Sequence, residues 1–161
     1  MRVFDSQDGE YHLVVGISLR ELIETLAPPK AADTILLSFK NGMQVTIAKT
    51  DNQAIDDLFI ALEHSPSYDV YELTYRLKTG ATIDCPRVVY QSKDPAFSPL
   101  RLADQLRAVQ FVTLSAYDAQ LAQPTRQPPT APGWRLYRKY CSSCHGLGGQ
   151  GATYAPDFIS D

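Results

Sequence analysis

An α+β fold is what this sequence predicts, on three observations. Short β-type runs alternate with segments of helical spacing through residues 1–121. Two of those runs are joined by Asn41-Gly42, the dipeptide most favoured in a two-residue β-hairpin turn. After residue 121 the composition changes, because AQPTRQPPTAPG (122–133) holds four prolines in twelve residues. Proline fixes φ and keeps the preceding residue extended, so this stretch reads as a semi-rigid linker. The expected organisation is a mixed-sheet domain over 1–121, a linker over 122–132 and a short helical segment over 133–161. No internal repeat is visible.

Taken in order, EYHLVVGI (10–17) is a short apolar strand. Ser18 is a natural N-cap for the helix that follows, with Glu21 three residues on completing a capping box. Leu19, Leu22, Ile23 and Leu26 fall on one stripe at helical spacing, and Pro28-Pro29 stops the helix. TILLSFK (34–40) and MQVTIAK (43–49) are the strands of the Asn41-Gly42 hairpin, expected as a type I′ turn. AIDDLFIALEH (54–64) predicts a second helix, capped by Asp51 or Asn52. YDVYELTYRLK (68–78), PRVVYQ (86–91) and LRAVQFVTLSAYD (106–118) are rich in β-branched and aromatic residues and predict strands.

Composition sets limits. Hydrophobic residues make up 44% of the 161 and charged residues 20%, as in ordinary globular domains. No apolar run approaches the roughly 18 residues a membrane-spanning helix needs. The start, MRVFDSQDGEYHL, lacks the basic-then-apolar pattern of a signal peptide, so an export signal would lie outside these residues or have been removed. Residues 1–121 carry 11 Lys/Arg against 16 Asp/Glu, a net −5, and residues 122–161 carry 4 against 2, a net +2. A domain at −5 lacks the basic face that phosphate neutralisation requires, which argues against nucleic acid as a partner.

The three cysteines do not suggest a disulfide framework. Cys85 stands alone and is expected to pack as a small apolar residue in a strand. Cys141 and Cys144 belong together in Cys141-Ser142-Ser143-Cys144-His145, the pattern that attaches a c-type haem. Two thiols one helical turn apart match the two vinyl groups of the macrocycle, and the adjacent imidazole is placed to ligate the iron. Chance alone supplies this string in about one in a thousand chains of this length. A redox CxxC pair should open a helix after a strand, whereas this one ends a helical segment and precedes glycines. A zinc site needs four ligands, and His12, His64 and Cys85 offer no paired spacing. The candidate binding residues are therefore Cys141, Cys144 and His145, the last as metal ligand.

The surrounding residues resemble the start of a class I cytochrome c. Gly133, Leu136 and Tyr137 in GWRLYRKYCSSCHG match its lead-in helix, and Gly146, Gly149, Gly151 and Pro156 in HGLGGQGATYAPD match its small-residue loop and proline. The resemblance covers residues 133–161 and implies covalent haem c, with the region of the proline hydrogen-bonded to the proximal imidazole. That family usually takes a methionine downstream of the proline as its second axial ligand, and packs a C-terminal helix on the lead-in helix. Met1 and Met43 both lie far upstream, so the chain is expected to be cut inside its cytochrome segment. A five-coordinate haem or a ligand from a partner are the alternatives. Arg135, Arg138 and Lys139 are expected on a solvated helix face, with a propionate or acidic-partner contact as the alternative.

The front domain resembles the molybdopterin-binding fold of the sulfite oxidase family, through VGISLRELIETL, the hairpin Asn41-Gly42-Met43-Gln44-Val45-Thr46-Ile47, Pro86-Arg87-Val88-Val89-Tyr90 and the segment Ser98-Pro99 to Leu106. That family holds molybdenum with an early cysteine among arginines and histidines. Here Cys85 comes late and basic residues are scattered, so the expectation is a relative without molybdopterin. Elsewhere His12 and His64 are isolated, Asp56-Asp57 is a helix-surface pair, and Tyr68, Tyr71 and Tyr75 read as packing residues of a strand. No phosphate-cradling loop and no identifiable Ser-His-Asp set is present.

The function expected is electron transfer by one covalent haem c, an electron carrier rather than an enzyme, docked by its front domain to a redox partner such as a dehydrogenase or oxidase. Haem c maturation places it in the periplasm. A molybdopterin-dependent oxidoreductase fused to a haem, or a non-catalytic ligand- or partner-binding module with the haem as sensor, are the alternatives.

Overall fold

The computed structural model, which describes residues 2–5, 10–64, 86–90, 99–122 and 132–159, is an α+β fold whose chain passes twice through each of two units. In chain order the elements are strands β1 (Arg2–Asp5) and β2 (Glu10–Ser18), helix α1 (Leu19–Leu26), strands β3 (Thr34–Phe39) and β4 (Gln44–Ala48), helix α2 (Asn52–Asp57), and strands β5 (Leu58–His64) and β6 (Arg87–Tyr90). A 3₁₀ turn (Pro99–Leu102), strand β7 (Leu106–Val112), helices α3 (Leu114–Ala122) and α4 (Pro132–Tyr140), and the short strands β8 (Gly146–Leu147) and β9 (Gln150–Gly151) complete it. One unit comprises Met1–Ala27 with Asp51–Leu106, the other Pro28–Thr50 with Arg107–Asp161.

The first unit is a four-stranded sheet in the order β1-β2-β5-β6, with neighbours antiparallel. Strand β1 is not announced by the apolar pattern; it pairs with the start of β2 from Arg2 opposite Leu13 to Asp5 opposite Glu10. Helix α1 begins as its sequence predicts, with the Ser18 hydroxyl accepting from the Glu21 amide at 3.1 Å. It ends at Ala27, in left-handed backbone (φ 43°), just before Pro28-Pro29. Arg20 on α1 forms an ion pair with Asp56 on α2, which holds the Asp56 carboxyl below the usual range.

The helix expected over 54–64 is corrected. Helix α2 stops at Asp57, although Asp51 caps it as expected by accepting from the Ala54 amide at 3.1 Å. Leu58, Phe59, Ile60 and Ala61 are all buried, on both faces of a strand between β2 and β6. A fully apolar run carries no period, so burial of both faces decides the state. Phe59 and Ala61 pack with Val89 of β6, which lies where PRVVYQ predicts a strand.

The second unit is built on a three-stranded sheet in the order β4-β3-β7. Strands β3 and β4 pair from Thr34 opposite Ala48 to Ser38 opposite Gln44. Ile35, Leu36, Leu37, Phe39, Val45 and Ile47 are buried along the hairpin. Its turn is not type I′, because Gly42 alone takes positive φ (90°) and Asn41 does not. The Gly42 amide donates to Phe39 O at 3.0 Å and the Phe39 amide to Met43 O at 2.9 Å, which makes a three-residue loop with Gly42 in the left-handed position. The Asn41 side chain accepts from the Met43 amide at 3.2 Å.

The strand expected over 106–118 is corrected too. It ends at Val112, and α3 begins at Leu114. The Asp33 carboxylate accepts from the Leu114 amide at 2.7 Å, while the Asp33 amide donates to Val112 O at 3.2 Å. A residue 81 positions away thus starts the helix. The backbone amide of Leu114 and the hydroxyl of Thr34 hold the Asp33 carboxyl below its ordinary value. The expected strand over 68–78, with Tyr68, Tyr71 and Tyr75, and Cys85 lie outside the described residues, as does most of the linker expected over 122–132, whose end residues Ala122 and Pro132 belong to α3 and α4.

Candidate functional site

Helix α4 opens on Pro132, a position where the missing amide costs nothing, and closes on Arg138 and Lys139, which suit the negative end of its dipole. Trp134 and Tyr137 pack against the buried cluster of Leu36, Tyr117 and Leu121, joined by Val112. The Trp134 and Tyr137 rings lie 5.4 Å apart. Helix α4 therefore has a packing partner in α3, and a floor in β3.

The three cations of α4 separate. Arg135 and Lys139 are exposed, as expected. Arg138 is not on a solvated face: its Nε lies 2.7 Å from Asp118 Oδ1, and both side chains are largely covered. Its guanidinium also donates to Ser142 Oγ at 3.0 Å and Thr46 Oγ1 at 3.2 Å, and sits over the Tyr117 ring. The Tyr117 hydroxyl donates to Gln44 Oε1 at 2.7 Å, and burial pushes the Tyr117 phenol up.

Beyond Tyr140 the backbone closes one tight turn. The amides of Cys141 and Ser142 both donate to Tyr137 O at 2.9 Å, and those of Cys144 and His145 donate to Cys141 O at 3.0 and 2.9 Å. Cys141 and Cys144 are free thiols on that turn, both half-buried. His145 follows at once, and its Nδ1 lies 2.6 Å from Pro156 O. A carbonyl only accepts, so Nδ1 carries the proton and Nε2 keeps the lone pair. Phe158 stacks on the imidazole at 4.3 Å between centroids. The Tyr137 hydroxyl donates to His145 O at 2.9 Å, and burial, the largest cause, pushes that phenol up to about 12.

The glycine-rich stretch turns the chain back toward His145. Gly148 and Gly149 both have positive φ (54° and 78°) in the two-residue turn between Leu147 and Gln150, the primed geometry expected at Asn41-Gly42. Asp157 fixes this turn. Its Oδ1 accepts from the amides of Gly148 and Ile159, and its Oδ2 from Gly149, each at 2.7 Å. Those three amides, Gly149 first, hold the Asp157 carboxyl below its ordinary value. The Ala155 amide donates to Cys144 O at 2.8 Å, so both arms of the loop are tied to the cysteine turn.

The β3–β4 hairpin reaches the same place. The Gln44 amide donates to Ser143 O at 3.1 Å, and the Thr153 amide donates to Gly42 O at 2.8 Å.

This donor set fits a c-type haem: two free thiols on one turn, and an imidazole presenting Nε2. Phe158, an exposed apolar side chain at the loop end, stacks on that imidazole. The alternatives fit less well. Burial pushes the Cys144 thiol up, opposite to the lowered value of a reactive redox thiolate. Among the described residues no group of three or more His, Cys, Asp and Glu could hold a metal ion by itself.

The structure thus brings Cys141, Cys144 and His145 together. Met43 is fully enclosed in the core of the second unit, and His12 and His64 lie on strands β2 and β5 of the first. Gln44, Thr46, Tyr117, Asp118 and Asp157 support the site, and sequence reasoning missed them all. For Asp157 the signal was local, an Asx residue directly after Pro156 and beside glycines. For the others no local signal exists.

Residues 128–161, 34 of the 161, match the family described as cytochrome C oxidase, cbb3-type, subunit III. The match supports a c-type cytochrome segment, and with it haem and electron transfer as the chemistry of this site. No curated protein and no solved structure matches the chain. Nothing in these comparisons supports the molybdopterin-binding resemblance of the front domain. No helix among the described residues is long and apolar enough to cross a membrane.

Proposed function

We propose that this chain is an electron-transfer protein that carries one haem c covalently at Cys141 and Cys144, with His145 Nε2 as the nitrogen that would ligate its iron. The observation that carries the reading is the 2.6 Å contact between His145 Nδ1 and Pro156 O, directly after two free thiols on one turn. A redox dithiol does not require a histidine oriented in this way. A haem ligand does, because the second nitrogen's hydrogen bond fixes tautomer and ring direction and raises the basicity of the first.

Attachment is balanced chemistry. Cys141 and Cys144 would hold the haem as thioethers, each S–H adding across one vinyl double bond with no net oxidation. Bound there, haem c supplies a reversible one-electron change between ferric and ferrous iron. The chain's residues do the rest. Tyr137 holds the His145 carbonyl, Pro156 holds its ring, and Asp157 holds the loop that carries Pro156.

The role is that of an electron carrier that docks to a redox partner protein through its front domain, residues 1–121. The matched family's description as a subunit of an oxidase favours an oxidase as that partner. A c-type cytochrome segment is typical of extracytoplasmic proteins, which supports a periplasmic location. The molybdopterin reading would require Cys85, which lies outside the described residues.

The test is to mature the full chain with a c-type haem maturation system, denature it and look for haem retained on the polypeptide. Retention that disappears in the double variant Cys141→Ser, Cys144→Ser supports the reading. Haem that washes out of the denatured wild-type chain overturns it.

A further inference from the structure

The two residues between the thiols are each fastened to one strand nearly a hundred positions upstream. Ser143 O accepts directly from the Gln44 amide at 3.1 Å. Ser142 is fastened through Arg138: the guanidinium donates from Nη1 to Ser142 Oγ at 3.0 Å and from Nη2 to Thr46 Oγ1 at 3.2 Å, and Ser142 Oγ donates back to Arg138 O at 2.9 Å. A third tie comes from the hairpin turn, where Gly42 O accepts from the Thr153 amide at 2.8 Å, on the arm that returns to Pro156. Ser142 is buried in this arrangement.

We infer that the β3–β4 hairpin is part of the haem-attachment site, with Gly42, Gln44 and Thr46 as positioning residues that set the turn carrying Cys141 and Cys144. This rests on the haem reading above. It goes beyond that reading by assigning a role to a hairpin outside the segment matched to a cytochrome family, one that sequence resemblance placed in a molybdopterin-binding fold.

The physical case is one of rigidity. A CxxCH turn is short, its first residues follow a helix end, and helix ends fray. Thioether formation needs the two sulfurs in one fixed arrangement, and such arrangements are held by hydrogen bonds to the groups around them. Here strand β4, itself in register with β3, supplies those bonds. Gly42 is required at the turn for two reasons. Its φ of 90° is strained for any side chain, and a Cβ would run into Thr153 Oγ1 and come within 2.9 Å of the Thr153 carbonyl carbon.

Two full-length variants test this, each matured with haem beside the wild type. Gly42→Val pushes the turn off Thr153. Thr46→Val removes only the acceptor for Arg138 and keeps the shape of the strand. Lys30→Ala, an exposed residue of the same unit, is the control. The readouts are the fraction of chain with attached haem, the midpoint potential of that haem and the shape of its reduced α band.

A loosened turn exposes the haem to water, so Gly42→Val should attach several-fold less haem, and what attaches should have a lower potential and a broader α band. Thr46→Val should shift potential and band shape in the same direction by less, with Lys30→Ala unchanged. If Gly42→Val fails to fold, Thr46→Val alone decides. Wild-type potential and band shape in Thr46→Val, or in a folded Gly42→Val, overturn the inference while leaving haem attachment intact. A wild-type chain that takes no haem overturns the haem reading itself, and this inference falls with it.

Discussion

His145 turns its Nδ1 toward the carbonyl oxygen of Pro156, 2.6 Å away, so the ring has one orientation and one free lone pair, on Nε2. The proline does this through its backbone, which makes the contact depend on where the loop runs rather than on a side chain. His145→Ala should therefore still allow thioether formation at Cys141 and Cys144 but lose the protein nitrogen on that side of the iron. The reduced spectrum should lose its sharp low-spin α band, and added imidazole should restore it. An unchanged spectrum would place the ligand elsewhere.

Tyr137 supports the same residue from the backbone side, donating to His145 O at 2.9 Å from a half-buried position. Tyr137→Phe keeps the ring that packs on Trp134 and removes only that bond. It should cost about 1 kcal/mol in denaturant unfolding. A far larger loss would mean that the hydroxyl does more than hold this carbonyl.

Leu121 is 1% exposed and forms the centre of the contact between α3, β3 and α4. Leu121→Ala should destabilise the second unit by about 3 kcal/mol, from lost apolar burial and the cavity left behind. Equilibrium unfolding followed by Trp134 fluorescence reads this directly, since Trp134 packs on the same cluster.

Arg138 and Asp118 form a largely covered ion pair across α4 and α3. Arg138→Met leaves a carboxylate without its cation and should cost about 3 kcal/mol, whereas the double change with Asp118→Leu should recover most of it. A double variant as unstable as the single one would show that packing of the guanidinium stem, and not the pairing, carries the effect.

Asp33 and Asp157 make the second unit sensitive to acid. Both carboxyls sit below their ordinary value when folded, held by backbone amides. The stability they contribute is therefore fully present above the unfolded value near 3.9, and is lost as pH falls through it toward the folded value. The denaturant midpoint should drop between about pH 5 and about pH 3. Asp33→Asn keeps an acceptor for the Leu114 amide but cannot titrate, so its drop should be shallower. Parallel curves would assign the acid sensitivity to other groups.

What the sequence disclosed was local. The Ser18 cap, the strands of the β3–β4 hairpin, the PRVVY strand, the lead-in helix and the CxxCH triad each depend on residues within a few positions of one another. What it hid depends on partners far along the chain. LFIALE (58–63) has no period of its own, and became a strand because β2 and β6 flank it. Helix α3 begins with an acceptor from Asp33, so nothing near Leu114 announced it. Arg138 looked like a surface cation because Asp118 and Thr46, which enclose it, are 20 and 92 positions away. The hairpin's tie to Ser143 was invisible for the same reason, whereas the Asp157 clasp lay within reach of a closer local reading.

The central claim is that this site holds haem c through two thioethers. Intact mass of the full chain, purified after co-expression with a c-type maturation system, tests it most directly when set beside a reduced-minus-oxidised visible spectrum. The account predicts a mass increment of one haem on the polypeptide, absent from the Cys141→Ser, Cys144→Ser variant and accompanied by α and β bands on reduction. A chain of unmodified mass, from cells that mature a control cytochrome, would contradict it and reduce the motif to a dithiol.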